Sequence, residues 1–299
     1  MKTLWFVSFL LAVLSNAVQA QSASIFEKAK TAGVVVMGVR DSAGALSYTT
    51  GNGGYAGFHV ELCQRIIAEL QRRAGRIIEV RYQQVTAQNR IPLLQNGTID
   101  IECGATTNNV TRQKDVAFLN TTFVEEVRMA VRASSGLASI AQLANRTLVT
   151  TTGTTGVQHL RKHERALGVD FKELYGKDSS ESFLLLEADR AAAFVTDSQI
   201  LAGHIANSKN PSLYLIAGEV LNMEPIAIMV RKDDVEFRKL GNLVIDQQIR
   251  SGALHALWAK WFVEPIPPNN VSLKLPLSEG TKAAWANPNA KPAEDYARK

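Results

Sequence analysis

The stretches VVVMGV at residues 34–39, FHVELCQRIIAELQRRA at 58–74, IIEVRYQQV at 77–85 and IDIECG at 99–104 decide how this chain folds. The first, third and fourth read as strands, and the second carries apolar residues at spacings of three and four, the period of a helix with one buried face. A further helix opens near Ile91 and Pro92. This βαβαβ series predicts parallel strands covered by helices. After a connecting strand, VRMAVRA at 127–133, the pattern begins again with TLVTTTG at 147–153, a helix over 157–167, DFKEL at 170–174, the helix SSESFLLLEAD at 179–189 and AAAFVTD at 191–197. The expectation is an α/β protein of two lobes, each a mainly parallel sheet flanked by helices.

The strand AIMVRK at 227–232 and the helices at 235–252 and 253–262 bring no new sheet, so they are expected to complete the first lobe. The chain then crosses between lobes near 127–132 and 225–231, making a two-crossing hinge. The division that follows is 24–129 and 228–268 for the first lobe, 130–227 for the second, and 269–299 for a C-terminal extension expected to be irregular and peripheral. Two open α/β sheets facing each other leave a cleft at the carboxyl ends of their strands.

The N-terminus, MKTLWFVSFLLAVLSNAVQA, combines one charge at Lys2, an apolar run from Leu4 to Leu14 and a Val-Gln-Ala ending, the pattern of a cleaved secretory signal peptide over 1–20. The run is shorter than the ~20 residues that a transmembrane helix requires. Cleavage is expected after Ala20, and the absence of Cys at that point argues against lipid attachment. The formal net charge is +5, spread without a basic block, which makes nucleic acid an unsuitable partner. The two cysteines, Cys63 and Cys103, would meet only if the middle of the 58–74 helix packs beside the end of the 99–104 strand, so their pairing stays open.

Several chemistries are missing. GNGGYA at 51–56 fits a dinucleotide pattern formally, but ALSYTT before it is a poor buried strand, so a turn is the reading. No phosphate-loop lysine, no G-x-S-x-G elbow and no His/Cys cluster at metal spacing occurs. His159 and His163 stand four apart without an intervening Glu, among charged neighbours, and read as a solvated helix face. Polar residues do gather at strand ends. Arg40 ends the first strand, and Thr106 and Thr107 follow IDIECG, with Arg112 shortly after. Thr151, Thr152, Thr154 and Thr155 surround Gly153 before a helix, and Asp197 ends AAAFVTD. Helix N-termini and hydroxyls favour an anion, and Asp197 is the natural partner for an ammonium group.

QNRIPLLQNGTIDIECGATTNNVTRQKDVAF at 88–118, TTGTTG at 151–156, ESFLLLEADRAAAFVTDSQILAG at 181–203 and KWFVEPIPPNN at 260–270 resemble the periplasmic glutamate/aspartate-binding proteins of ABC importers, within bacterial solute-binding protein family 3. The resemblance runs from about Phe26 to about Asn289. It implies a type II periplasmic-binding-protein fold, a periplasmic location, a monomer, and delivery of L-glutamate or L-aspartate to a permease in the inner membrane, with no cofactor. It also implies that Arg112, Thr107 and the loop of Thr154 and Thr155 hold the ligand α-carboxylate, that Asp197 holds the α-ammonium, and that Arg40 and Arg90 approach the side-chain carboxylate. Thr106 and Ser179 complete the expected set. The chain departs from that pattern at Ala87 and Ala105, where Ser is usual, and at Ser179, where His is usual.

Two rival readings differ in class. An exported dehydratase of the same fold would need a positioned acid or base, and the cleft residues foreseen, Arg, Thr and one Asp engaged with an ammonium, offer none. A sensory module would carry a signalling domain, for which the sequence has no segment. A binding protein for another polar amino acid is the remaining alternative, because the three departures fall on the side-chain end of the expected site.

Overall fold

The computed structural model describes residues 24–296, so the leader at 1–20 and its cleavage point lie outside the described residues. The first sheet runs in the spatial order Glu79–Gln84, Val34–Val39, Ile101–Glu102, Met229–Arg231, Val116–Phe118. Its first three strands are parallel, as the βαβαβ pattern predicts, and Met229–Arg231 enters antiparallel to both of its neighbours. The returning strand thus sits inside the sheet rather than at its edge. The helix Phe58–Ala74 turns Phe58, Leu62, Cys63, Ile66, Ile67 and Leu70 inward, the three-and-four spacing read from the sequence. It starts at Gly57, whose φ of 135° and close approach to Leu46, where a Cβ would stand 2.4 Å from the carbonyl oxygen, admit only glycine. Phe237, Leu240, Val244 and Leu257, from the helices Val235–Arg250 and Ala253–Trp258, share one apolar cluster with Val35, Met37 and Ile66.

The buried face of Phe58–Ala74 lies over the end of Ile101–Glu102, and Cys63 and Cys103 are joined there as a disulfide with a Cα–Cα separation of 6.4 Å. The bond links two elements 40 residues apart within the core, the arrangement that the sequence left open.

The second sheet has the order Lys172–Gly176, Thr147–Thr151, Ala193–Asp197, Phe123–Arg132, Tyr214–Ile226. The first three are parallel, and the last two are antiparallel to their neighbours. Both faces are covered. Leu148, Val195 and Met129 belong to one apolar cluster, and their chain neighbours Val149, Phe194 and Ala130 to another, because successive strand residues point to opposite faces.

Phe123–Arg132 and Tyr214–Ile226 pair from Phe123 opposite Ile226 onward. The hinge strands are therefore also the last two strands of the second sheet, and the division expected at 129/130 falls inside one of them. The polypeptide leaves the first sheet at Phe118 and re-enters it at Met229. Residues 51–56 span the turn and second strand of a small antiparallel hairpin, exposed at its tip over 51–53, with Asn52 and Gly53 at positive φ.

The C-terminal extension is not peripheral, contrary to the sequence reading. Trp285, 3% exposed, donates its indole N–H to the Thr122 carbonyl at 3.0 Å, and the Thr281 hydroxyl accepts from the Val124 amide at 3.0 Å. The Thr121 amide donates to Asn289, and the Asn108 side chain donates to the Ala290 carbonyl at 2.9 Å. Hinge backbone that leaves one sheet before joining the other must find hydrogen-bond partners. The extension supplies them, which the Pro, Ala and Asn composition conceals.

Candidate functional site

Arg40 follows the strand Val34–Val39, Arg90 opens the helix Arg90–Gln95, and Arg112 lies in the loop after Ile101–Glu102. All three guanidinium groups converge. Arg40 and Arg90 are 3% and 2% exposed. The Arg90 Nη1 donates to the Ala105 carbonyl at 2.8 Å, while its Nε is buried without a partner. The Arg112 guanidinium donates to the Thr107 carbonyl at 2.9 Å and, across to the second lobe, to the Gly153 carbonyl at 3.3 Å. Among the described residues the Arg40 guanidinium has no hydrogen bond. Burial, followed by repulsion from Arg90, pulls Arg40 down to about 10 and Arg112 to about 9. Arg90 is lowered by burial too. Two of the three cations, Arg40 and Arg90, are held out of water with the half-buried Arg112 beside them, which is costly unless anions meet them.

Asp197 closes the strand Ala193–Asp197 and looks onto these arginines with a carboxylate that accepts no hydrogen bond among the described residues. Burial and then Glu224 push it up to about 7, against the pull of Arg90, Arg112 and Arg40. The lobes touch beside it. Gly153, at φ 79°, lies so close to Gln88 of the first lobe that a Cβ would come within 2.7 Å of backbone atoms. Gln199 also donates across to the Ala43 carbonyl at 3.3 Å.

Several of the remaining expected residues direct their polar atoms to other protein groups. The Thr106 hydroxyl donates to Glu102 at 2.8 Å. The Thr107 and Thr155 hydroxyls both donate to Oε2 of Glu224, at 2.6 and 2.9 Å. The Thr154 hydroxyl donates to the Thr151 carbonyl at 2.7 Å. Ser179 is buried at the first position of the helix Ser179–Glu187, behind the capping carboxylate of Asp178. Ala87 and Ala105 are buried in the same region, 5% and 8% exposed.

The sequence reading missed four groups. Glu102, Glu125 and Glu224 are buried carboxylates of the cleft, each 1% exposed or less. Glu125 and Glu224 stand opposite each other on the hinge strands. Burial and Asp197 raise Glu125 well above the usual range. Glu224 is pushed up by burial, but its bonds from His159, Thr107 and Thr155 outweigh this and hold it below the usual range. His159 is the fourth. Its Nε2 lies 2.5 Å from Oε1 of Glu224, and the Nε2 of His163 lies 3.4 Å from the Leu221 carbonyl. The solvated-face reading of these histidines is thus corrected, because their helix lies against the second hinge strand. The signals available beforehand were Glu102 within IDIECG and a Glu just before each crossing segment, in FVEEV and NMEPI.

Residues 35–264 match the model of the bacterial extracellular solute-binding proteins, family 3. The chain belongs to that family. A glutamate/aspartate import solute-binding protein of Escherichia coli is 36% identical over 94% of this family member and 93% of its own length. Among solved structures, a mutant of the arginine-binding protein of T. maritima superposes with a TM-score of 0.70 at 28% identity, covering 79% of this chain and 98% of the other. An ancestral amino-acid-binding protein, described as a precursor of cyclohexadienyl dehydratase, gives 0.70 at 23% identity over 80% of this chain and 99% of its own. At that identity it speaks for the fold alone.

Proposed function

We propose that this family member is an exported, monomeric binding protein that captures L-glutamate or L-aspartate between its lobes and delivers it to the permease of an ABC importer. The observation that carries the reading is the convergence of Arg40, Arg90 and Arg112 with Asp197 where the lobes meet. An acidic amino acid has the complementary charges, two carboxylates and one ammonium. Arg112 is placed for the α-carboxylate, beside Thr107 and the turn of Thr154 and Thr155 that opens the helix Gly156–Leu167. Asp197 is assigned to the ammonium group, and Arg40 and Arg90 to the side-chain carboxylate. Guanidinium–carboxylate pairing is the strong form of this contact. Thr106 and Ser179 act as walls, with Ala87 and Ala105 leaving room beside the side chain.

One observation favours a second reading. Asp197, pushed up to about 7, and Glu125, raised well above the usual carboxylate range by burial and by Asp197, are acids of the kind that move protons. An exported enzyme of the dehydratase type, which would need such a group, is therefore the alternative. The three guanidinium groups around Asp197 favour binding, since they return it to the ionised form once an ammonium replaces its proton. Mass spectrometry of natively purified protein, followed by calorimetry with the amino acid found, tests the assignment. Co-purified glutamate or aspartate, returned unchanged after incubation, is the expected result. A bound cyclic carboxylic acid that loses water on incubation would establish the alternative.

A further inference from the structure

Glu224 ends up tying together three parts of the molecule. It lies on the hinge strand Tyr214–Ile226, two residues before the crossing, with its side chain 1% exposed. Its Oε2 accepts from Thr107, in the first-lobe loop that carries Arg112, and from Thr155, the residue that begins the helix Gly156–Leu167 of the second lobe. Its Oε1 meets His159, one turn further along that helix, and Asn222 lies 3.3 Å from the same His159 nitrogen. Both carboxylate oxygens are therefore occupied. Three of its roughly four acceptor positions are thus taken up within the protein.

The two threonines flank the contact that Arg112 makes to Thr107 and Gly153. A carboxylate that accepts both hydroxyl protons fixes these two side chains on either side of the Arg112 contact. Hydrogen bonds to an ionised group are shorter and about twice as strong as neutral ones. Their geometry here requires the two lobes to be together, because Thr107 and Thr155 belong to different lobes.

We infer that Glu224 is a positioning residue, a latch at the hinge that holds Thr107 and Thr155 in register and stabilises the closed cleft from behind the ligand. The inference deepens the binding reading above and rests on it for the ligand. The latch itself is a property of the protein without ligand.

The experiment compares the parent protein with Glu224→Ala, Glu224→Gln and Thr155→Val, using small-angle scattering without ligand and stopped-flow binding of glutamate. Glu224→Ala is expected to shift the ligand-free scattering toward the open, more extended form. It is also expected to raise the glutamate dissociation rate at least about 100-fold while changing the association rate little, the effect of losing about two charge-assisted hydrogen bonds. Glu224→Gln keeps one acceptor oxygen and is expected to recover most of the loss, to within about five-fold of the parent. Thr155→Val removes one donor and leaves the carboxylate, so it reports on the latch even if Glu224→Ala does not fold. A residue of purely structural importance would lower Tm without moving scattering or dissociation. Parent-like scattering and dissociation in folded Glu224→Ala and Thr155→Val would overturn the inference. If instead the parent binds no acidic amino acid, the ligand assignment fails, and the scattering comparison still decides the latch.

Discussion

Asp197 makes ligand affinity depend on pH, and the sign and size follow from its surroundings. The carboxyl is pushed from an ordinary value of 3.8 to about 7 by burial and by Glu224. An ammonium group in contact with it requires the ionised form, so in the complex its value should fall back toward the unperturbed range. Below pH 7 the ligand must therefore displace a proton. From pH 8 down to pH 5 the affinity should drop by about a hundredfold, ~2.7 kcal/mol at 1.36 kcal/mol per pH unit. Without ligand the stability runs in the opposite sense. A carboxyl whose folded value is raised contributes stability that is complete below about pH 4 and lost as pH rises toward 7, so the free protein and the complex diverge most above neutrality. The assay is calorimetry with glutamate at pH 5, 6, 7 and 8, in buffers of different ionisation enthalpy. At pH 6 close to one proton, about 0.9, should be released per ligand bound. Asp197→Asn should bind weakly and lose the dependence. An affinity constant within three-fold across this range, with no proton released, would refute the ammonium assignment of Asp197.

Three further outcomes are expected. Arg112→Ala removes the guanidinium that bridges Thr107 and Gly153, and breaking a buried charge pair should weaken glutamate binding by roughly two to three and a half powers of ten in calorimetry. Arg112→Lys should also be impaired, because an ammonium cannot reproduce the planar fork. Glutamine in place of glutamate would leave Arg40 and Arg90 facing only a dipole, so thermal shift and calorimetry should separate the two by at least about 2 kcal/mol, roughly thirty-fold. Equal affinities would mean that these arginines do not serve the side chain. Replacing both Cys63 and Cys103 with Ser opens a 40-residue loop inside the core, which should cost about 2–4 kcal/mol and lower Tm by roughly 5–15 °C in calorimetric melting.

Much of the architecture was legible because it rests on local periodicity. The helix Phe58–Ala74 and the strands Val34–Val39, Thr147–Thr151 and Ala193–Asp197 lie where apolar spacing places them, within a residue or two. Strand ends then localise Arg40, Thr107 and Asp197, since ligands of open sheets sit there. What escaped depends on contacts between distant segments. The facing of Glu125 and Glu224 is a matter of register between strands about a hundred residues apart, and no local pattern encodes it. His159 looked solvated because its sequence neighbours are charged, yet the neighbour that matters arrives from the hinge. The extension was misjudged on composition, although one Trp and one Thr at the right positions were enough to dock it.

The placement of Met229–Arg231 inside the first sheet also bears on how the molecule assembles. All strands of the second sheet come from one continuous stretch, 123–226, with an apolar cluster on each face. The first sheet cannot close until its returning strand arrives, and the Ile25 amide waits for the carboxylate of Asp234, 209 residues later, at 2.7 Å. Contacts of such sequence separation form slowly, because loop-closure entropy is lost before they contribute. The second lobe is thus suited to fold early and alone, while the first remains an open sheet with an unpaired strand edge until the last third of the polypeptide is available. For as long as that lasts, the second lobe presents Asp197 without a finished arginine cluster opposite it, and the chain is committed to no ligand.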